Sequence, residues 1–451
     1  MTEPGQSRRL ATFVADSDPA DLPVAVRDHV LRLVLNGFGT AIGGAADQAL
    51  HNLARAVLPF SASPQATVIG TDVRADMPTA AFLNAAALNV FDFDDNHAGT
   101  VIHPTAPVLP AALALAETRE VGGAALLHAV ALGIEVACRI GTAVSPGHYD
   151  RGWHITATCG VFGAAAAASR LLGLDATRTL WAFGNAAAQA AGLVETLGHM
   201  AKSVGVGGAA RNGLMAALMA QAGVAGPDRP LEGPRGFLRV CCDAPRPERI
   251  DAELGTRWEM LQVMLKPYPC GVVLNPVVDA CLALRADPAF AAERVERIRV
   301  RGNPLLKART DRPGVVTGRE AQVSAQHAAA VALVRGSAGL ADFADAAVRD
   351  PAVRALAARV ATVEADDTMP VEAASVATEM VDGSRIQSAV ALSRGNPGRP
   401  IADADLSAKF AALARHGAPG VNADRLAAAL WRLSDIDRVA PLMALARPPL
   451  P

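Results

Sequence analysis

Apolar residues recur three and four positions apart from residue 8 to about 225, the spacing of one helix face after another. The run Asp21-Leu-Pro-Val-Ala-Val-Arg predicts a helix start, with the acidic residue as cap and proline in the first turn. Further helices are predicted over 78–91, 106–117, 122–141, 156–173, 175–193 and 210–223, separated by short breaks of Gly, Pro or Asp. These runs are apolar all round and rich in alanine and glycine, which suits helices packed closely in a core. The texture changes near Glu232: residues 226–237 are rich in Pro and Gly, and β-type runs follow from Lys266 onward. Residues 295–302 alternate as a strand should, and 359–367 are a second candidate. Residues 375–392 read as a β-hairpin around Asp382-Gly383. Helical runs over 324–336 and 345–358 lie between these strands, and the helical pattern returns after residue 400. The expected fold is mainly α with a second α+β domain. A large all-helical domain is built from both chain ends, 1–265 and 401–451, and 266–400 form a smaller α+β lid domain.

Composition narrows the function classes. Of 451 residues, 51% are hydrophobic and 19% charged, with 44 acidic against 42 basic residues and a net charge of −2. That excludes a disordered chain and leaves no electrostatic footprint for nucleic acid. No membrane span is expected, because uncharged stretches such as Trp153–Ser169 carry histidine, threonine and glycine and fall short of the roughly 20 predominantly apolar residues needed. The N-terminal segment lacks the apolar core of a secretory signal. The six cysteines have neither CxxC nor zinc-ligand spacing, so reduced thiols in a cytoplasmic protein are expected. Only Lys202, Lys266, Lys307 and Lys409 break the arginine bias. A buried lysine can exchange its proton and an arginine cannot, so each of these positions draws notice.

Four polar segments interrupt the apolar pattern. In the densest, Asp92, Asp94, Asp95, His97 and His103 fall within twelve residues. Carboxylates this close repel unless a metal, a helix N-terminus or a nearby cation stabilises them. The segment fits neither an EF-hand loop nor a HExxH helix, so no metal is expected, and a solvated capping loop is the plain alternative. Second, Gly152-Trp-His154 opens an apolar helix, where imidazole stays neutral and can act as a base; the plain alternative is a satisfied core histidine. Third, Lys202 precedes Gly205, Gly207 and Ala210, which imitate a dinucleotide fingerprint without its preceding strand. No nucleotide cofactor is expected there, but a lysine before a glycine-rich helix start suits a carboxylate. Fourth, Lys266-Pro-Tyr-Pro-Cys is stiffened by two prolines and is expected to carry its lysine into an interdomain cleft.

Residues 92–117, 152–175, Lys202–Gly213 with the following LEGPRGF, and 266–284 resemble the 2-methylcitrate dehydratase (MmgE/PrpD) family in order and spacing. The resemblance covers nearly the whole chain. It implies an all-helical domain with an α+β lid, and a cofactor-independent enzyme, typically a homodimer, acting on small polycarboxylates. Family activities include 2-methylcitrate dehydration, cis-aconitate decarboxylation and iminodisuccinate epimerisation. The resemblance points to Asp92, His103, His154, Lys202 and Lys266 as catalytic residues, and to Asn96, His97, Asn275 and His327 as substrate-binding positions. Three of the latter depart from relatives. Asn96 stands where the decarboxylase branch has threonine, His327 where it has tyrosine, and Asn275 where many members have histidine. These departures speak against decarboxylation of cis-aconitate. The implied activity is a dehydratase-type lyase on a hydroxylated di- or tricarboxylate. The alternatives are an epimerase, a decarboxylase of a cis-aconitate-like acid and, from another class, a silent binding protein. Each reaction moves a proton or a carboxylate at a carbon beside a carboxylate, so cations, an acid and a base are required. Proton abstraction falls to His154 or Lys202, while His103, oriented by Asp92, protonates the leaving hydroxyl.

Overall fold

Small side chains decide how the first half of the chain packs. In a computed structural model describing residues 5–449, nine helices of eight or more residues precede residue 225. They are α1 (Gln6–Asp16), α2 (Val24–Gly44), α3 (Gln48–Val57), α4 (Met77–Asn89), α5 (Thr105–Glu117), α6 (Gly123–Val144), α7 (Ile155–Leu171), α8 (Ala176–Ala187) and α9 (Met200–Gln221). The first four residues of the N-terminal segment read above lie outside the described residues. Every residue of α5 is buried, as are all but two of α7. Helices α6 and α7 meet at Gly133 and Gly163, where a Cβ on either would stand 2.6 Å from the other's carbonyl oxygen. Only glycine permits that approach, and each large apolar side chain so enclosed contributes roughly 1.5–3 kcal/mol.

Among the described residues one helix, α6, is long and apolar enough to cross a membrane by length and composition, but 89% of its apolar window is buried inside the fold. It also carries a buried ion pair, Arg139 Nε to Glu135 Oε1 at 2.5 Å. The helix expected to start at Asp21 begins instead at Val24, with Pro23 as an N-cap residue that offers no side-chain bond. Asp21 ends a short 3₁₀ turn that Asp18 caps, through its carboxylate on the Ala20 amide. That turn consumes the capping geometry.

Two compact units emerge: residues through 263 together with 402 onward, and residues 264–401. Two further helices, Asp403–Gly417 and Ala423–Trp431, belong to the first unit and pack on α2. The second unit is α+β, with α10 (Asn275–Arg285) and α11 (Ala325–Arg335) packed on each other beside a four-stranded sheet. Its strands are β1 (Val295–Gly302), β2 (Glu364–Ala365), β3 (Ala374–Met380) and β4 (Arg385–Val390), in the order β2-β1-β3-β4. The alternating burial of β1 places Val295, Ile298 and Val300 in the core and its arginines outside. Strands β3 and β4 pair antiparallel with Thr378 opposite Ile386. Asp382-Gly383 sit at the centre of their connection, where Gly383 takes a φ of 82°. The stretch 359–367 contributes less strand than its pattern predicts, pairing Glu364 and Ala365 in parallel with β1 and adding an isolated bridge from Val360 to Ile298. The helices Asp403–Gly417 (α12) and Ala423–Trp431 (α13) follow the second unit along the chain.

Candidate active site

Three helix ends converge on the polar island. The C-terminal end of α4 supplies Asn89, the connection to α5 supplies Asp92 through His103, and the N-terminal ends of α7 and α9 supply His154 and Lys202. The α4–α5 connection is held in an unfavourable backbone. Asp92 and Val101 adopt φ values of 53° and 57°, a region costing roughly 1–2 kcal/mol for a residue with a Cβ. Such strain persists only where surrounding contacts over-determine it.

Those contacts form a charged network. Lys202 Nζ donates to Asp92 Oδ1 at 2.6 Å. His103 Nδ1 lies 2.9 Å from Asp94 Oδ1, and Asn89 Nδ2 donates to the other oxygen of Asp94 at 2.8 Å. Because an ionised carboxylate only accepts, Nδ1 of His103 carries the proton and Nε2 turns toward Asp92, 3.8 Å away. The expectation that Asp92 orients His103 is therefore corrected. Asp94, fully buried, does so, while Asp92 is committed to Lys202. The His103 amide donates to Thr156 Oγ1 at 3.1 Å, which ties the loop to the first turn of α7. Ser203 Oγ donates to Asn89 Oδ1 at 3.2 Å and ties α9 to the same knot.

Electrostatics divide the labour. Burial works to strip the Lys202 ammonium of its proton, but the charges of Asp92 and Asp94 and the bond to Asp92 outweigh it, raising its pKa above the ordinary value. Lys202 is thus a fixed cation and unsuited to proton abstraction. His154, the N-cap residue of α7, is 3% exposed, and its pKa falls to about 3 through burial first, then the charges of Lys202 and His103. It is neutral and able to accept a proton. Asp92, Asp94 and His103 each bring one ligand-type atom within 4.8 Å of the others, a spacing suited to a cation. The Lys202 ammonium already places a positive charge beside Asp92.

The other residues singled out from the sequence fall in different places. Asn96 is buried, with its Nδ2 donating to the His97 carbonyl at 3.2 Å. His97 Nδ1 meets Thr100 Oγ1 at 2.8 Å and its Nε2 lies 3.5 Å from Glu259 Oε2, an arrangement that staples the loop. Lys266, Asn275 and His327 belong to the second unit. Lys266 is 1% exposed; Asn275 opens α10, with its Nδ2 unpartnered among the described residues. His327 Nε2 meets the Asp342 carbonyl at 2.8 Å, and its ring packs on Phe343. Gly205 and Gly207 lie inside α9 rather than before it, and a Cβ at Gly207 would stand 2.6 Å from the Phe82 carbonyl oxygen. The role of Gly207 is close helix packing. The sequence reading passed over Asn89, Asp94 as the partner of His103, and Thr156.

Comparison with known families decides the lineage. The profile described as MmgE/PrpD N-terminal domain matches residues 8–250, and the MmgE/PrpD C-terminal domain matches residues 268–434. The chain belongs to the MmgE/PrpD family. Among MmgE/PrpD relatives, the cis-aconitate decarboxylase-like protein oryM of Aspergillus oryzae is 28% identical over 97% of this chain and 96% of its own length. Human cis-aconitate decarboxylase is 28% identical over 93% of this chain and 90% of its own. The cis-aconitate decarboxylase of Aspergillus terreus is 30% identical over 60% of this chain and 59% of its own. This kinship supports an enzyme of lyase type at the level of the family.

Proposed function

We propose that the chain is a cofactor-independent acid/base lyase that removes water from a small hydroxylated di- or tricarboxylate. The observation that carries this reading is a pair of histidines held by different neighbours around one fixed cation. His154 is neutral, with its pKa pushed down to about 3, whereas His103 is braced by the Asp94 carboxylate at 2.9 Å. Environments that set two titratable groups apart assign one as base and the other as acid. In the reaction, His154 takes the proton from the carbon beside a substrate carboxylate, and the electron pair moves into an enolate-like dianion facing Lys202. The pair then returns to form the double bond as the C–O bond breaks. His103, whose Nδ1–H is held by Asp94, supplies from Nε2 the proton that lets hydroxide leave as water once that nitrogen has been protonated. Substrate carboxylates offset the cationic surroundings of His154, so the bound anion itself raises the basicity of the group that attacks it.

A second reading is decarboxylation, favoured by the activity for which the two relatives aligned over most of their length are named. In that case the same cation stabilises the carbanion left by CO2, and a histidine protonates it. Incubation in D2O with 2-methylcitrate, citrate, cis-aconitate and iminodisuccinate, followed by NMR, separates the readings. Loss of water from a hydroxylated acid is expected; CO2 release from cis-aconitate alone would transfer the assignment to the second reading. Deuterium exchange with loss of neither water nor CO2 would make the chain an epimerase.

A further inference from the structure

Lys409 sits on α12, more than three hundred residues along the chain from the α4–α5 connection, yet its ammonium reaches that loop. It donates to the Phe93 carbonyl at 2.7 Å and to Asn36 Oδ1 of α2 at 2.8 Å, and it lies 3.7 Å from the centre of the Phe93 ring. Phe93 stands between Asp92, which pairs with Lys202, and Asp94, which holds His103. Its carbonyl belongs to the peptide plane leading directly into Asp94. Whatever fixes that plane also fixes the direction of both flanking carboxylates.

We propose that Lys409 is a positioning residue, locking the Asp92–Asp94 turn so that Asp94 meets His103 and Asp92 meets Lys202. The inference rests on the acid/base function proposed above. Three features support it. The turn carries φ 53° at Asp92, a conformation that relaxes unless external contacts hold it. Phe93 is 6% exposed, so its carbonyl has little access to water and depends on a protein donor. An ammonium is also the group that suits the place. It is a compact charge with three rotatable donors, able to serve two convergent oxygens while lying over a ring. A planar guanidinium directs its donors in a fixed fork, so arginine, the common cation of this chain, does not substitute for it. The C-terminal helices thereby have a duty toward a loop formed early in the chain.

The test uses the full chain with Lys409→Met, Lys409→Arg and Lys409→Gln. For Lys409→Met, kcat is expected to fall about tenfold to a hundredfold through misplacement of the acid. KM should stay within about threefold, because Lys409 is not placed on the substrate. Lys409→Arg should fail to restore kcat. Lys409→Gln, which keeps one donor for the Phe93 carbonyl, should restore it in part, and it serves as the probe if the methionine variant does not fold. A readout independent of turnover is the downfield Nδ1–H proton of His103 in histidine-labelled protein, assigned through His103→Gln. It should shift or broaden in Lys409→Met at an unchanged circular dichroism spectrum. An unchanged resonance together with an unchanged kcat would overturn the proposal, as would full rescue by arginine. If the unsubstituted enzyme turns over none of the acids, the proposed reaction fails, and the resonance still decides whether Lys409 positions the turn.

Discussion

His148 and His154 are six residues apart, both buried and both with pKa values pushed down, to about 4 and about 3, by burial before any other cause. Their partners differ in kind. The ring nitrogens of His148 meet the Cys241 carbonyl at 3.1 Å and Thr158 Oγ1 at 2.7 Å, and the ring stacks on Trp153. The surroundings of His154 are charged: Lys202 and His103 on one side of the balance, Asp92 and Asp94 on the other. Burial and a low pKa therefore do not distinguish a working histidine from a packed one. What distinguishes them is that neutral partners satisfy both ring nitrogens of His148, with the Arg151 charge the smallest of its causes, whereas His154 is surrounded by charges that an anionic substrate can rebalance.

The sharpest way to break this contrast is to remove one histidine of each kind. His103→Asn should lower kcat by about 10²–10⁴-fold with little change in the denaturation midpoint. His148→Asn should cost about 1–3 kcal/mol in chemical denaturation and leave turnover per folded molecule unchanged. Next in size is Lys202→Met, which strands the half-buried Asp92 carboxylate without its ammonium. A stability loss of about 1.5–3 kcal/mol is expected, with a rise in KM for polycarboxylates; activity with unchanged KM would remove Lys202 from the substrate's path.

Acid titration compares the two histidines on one scale. Each has a folded pKa below its unfolded value of 6.5, so its contribution to stability is present above that pH and is lost as pH falls toward about 4 for His148 and about 3 for His154. Each group steepens the acid limb by up to about 1.4 kcal/mol per pH unit. His154→Gln and His148→Gln should both flatten that limb, but only His154→Gln should abolish turnover. The smallest effect is expected at Asp95. Its pKa rises to about 7 through burial and the nearby Asp94 charge. The sign is opposite: its contribution is present at low pH and lost as pH climbs through about 7. Asp95→Asn, which keeps an acceptor for Thr105, should therefore stabilise the protein above neutrality by on the order of 1 kcal/mol, read from denaturation at pH 8.

Much of the fold was legible because burial writes itself into spacing. The alternation of residues 295–302 became β1 over the same residues, and Asp382-Gly383 lies at the centre of the β3–β4 connection. The start of α2 was misjudged because a 3₁₀ turn and a capping helix share the same residue types. The polar cluster itself was visible, but its pairing was not. Asp92 and Asp94 are two apart, and their division between Lys202 and His103 goes with a positive φ at Asp92 that no spacing signals. Asn89, the last residue of α4, gave no signal at all, since an asparagine there resembles an ordinary helix end. Lys409 stands out in the sequence only as one of four lysines among arginines, because its relation to Phe93 exists only in three dimensions.

The division of labour between the two histidines is tested most directly by solvent exchange in D2O, with a hydroxylated polycarboxylate that the unsubstituted enzyme dehydrates. In His103→Asn, where the base remains and the acid is gone, the proton beside the carboxylate should exchange for deuterium without loss of water. In His154→Gln, neither exchange nor elimination should occur. Exchange that survives in His154→Gln and vanishes in His103→Asn would contradict the assignment.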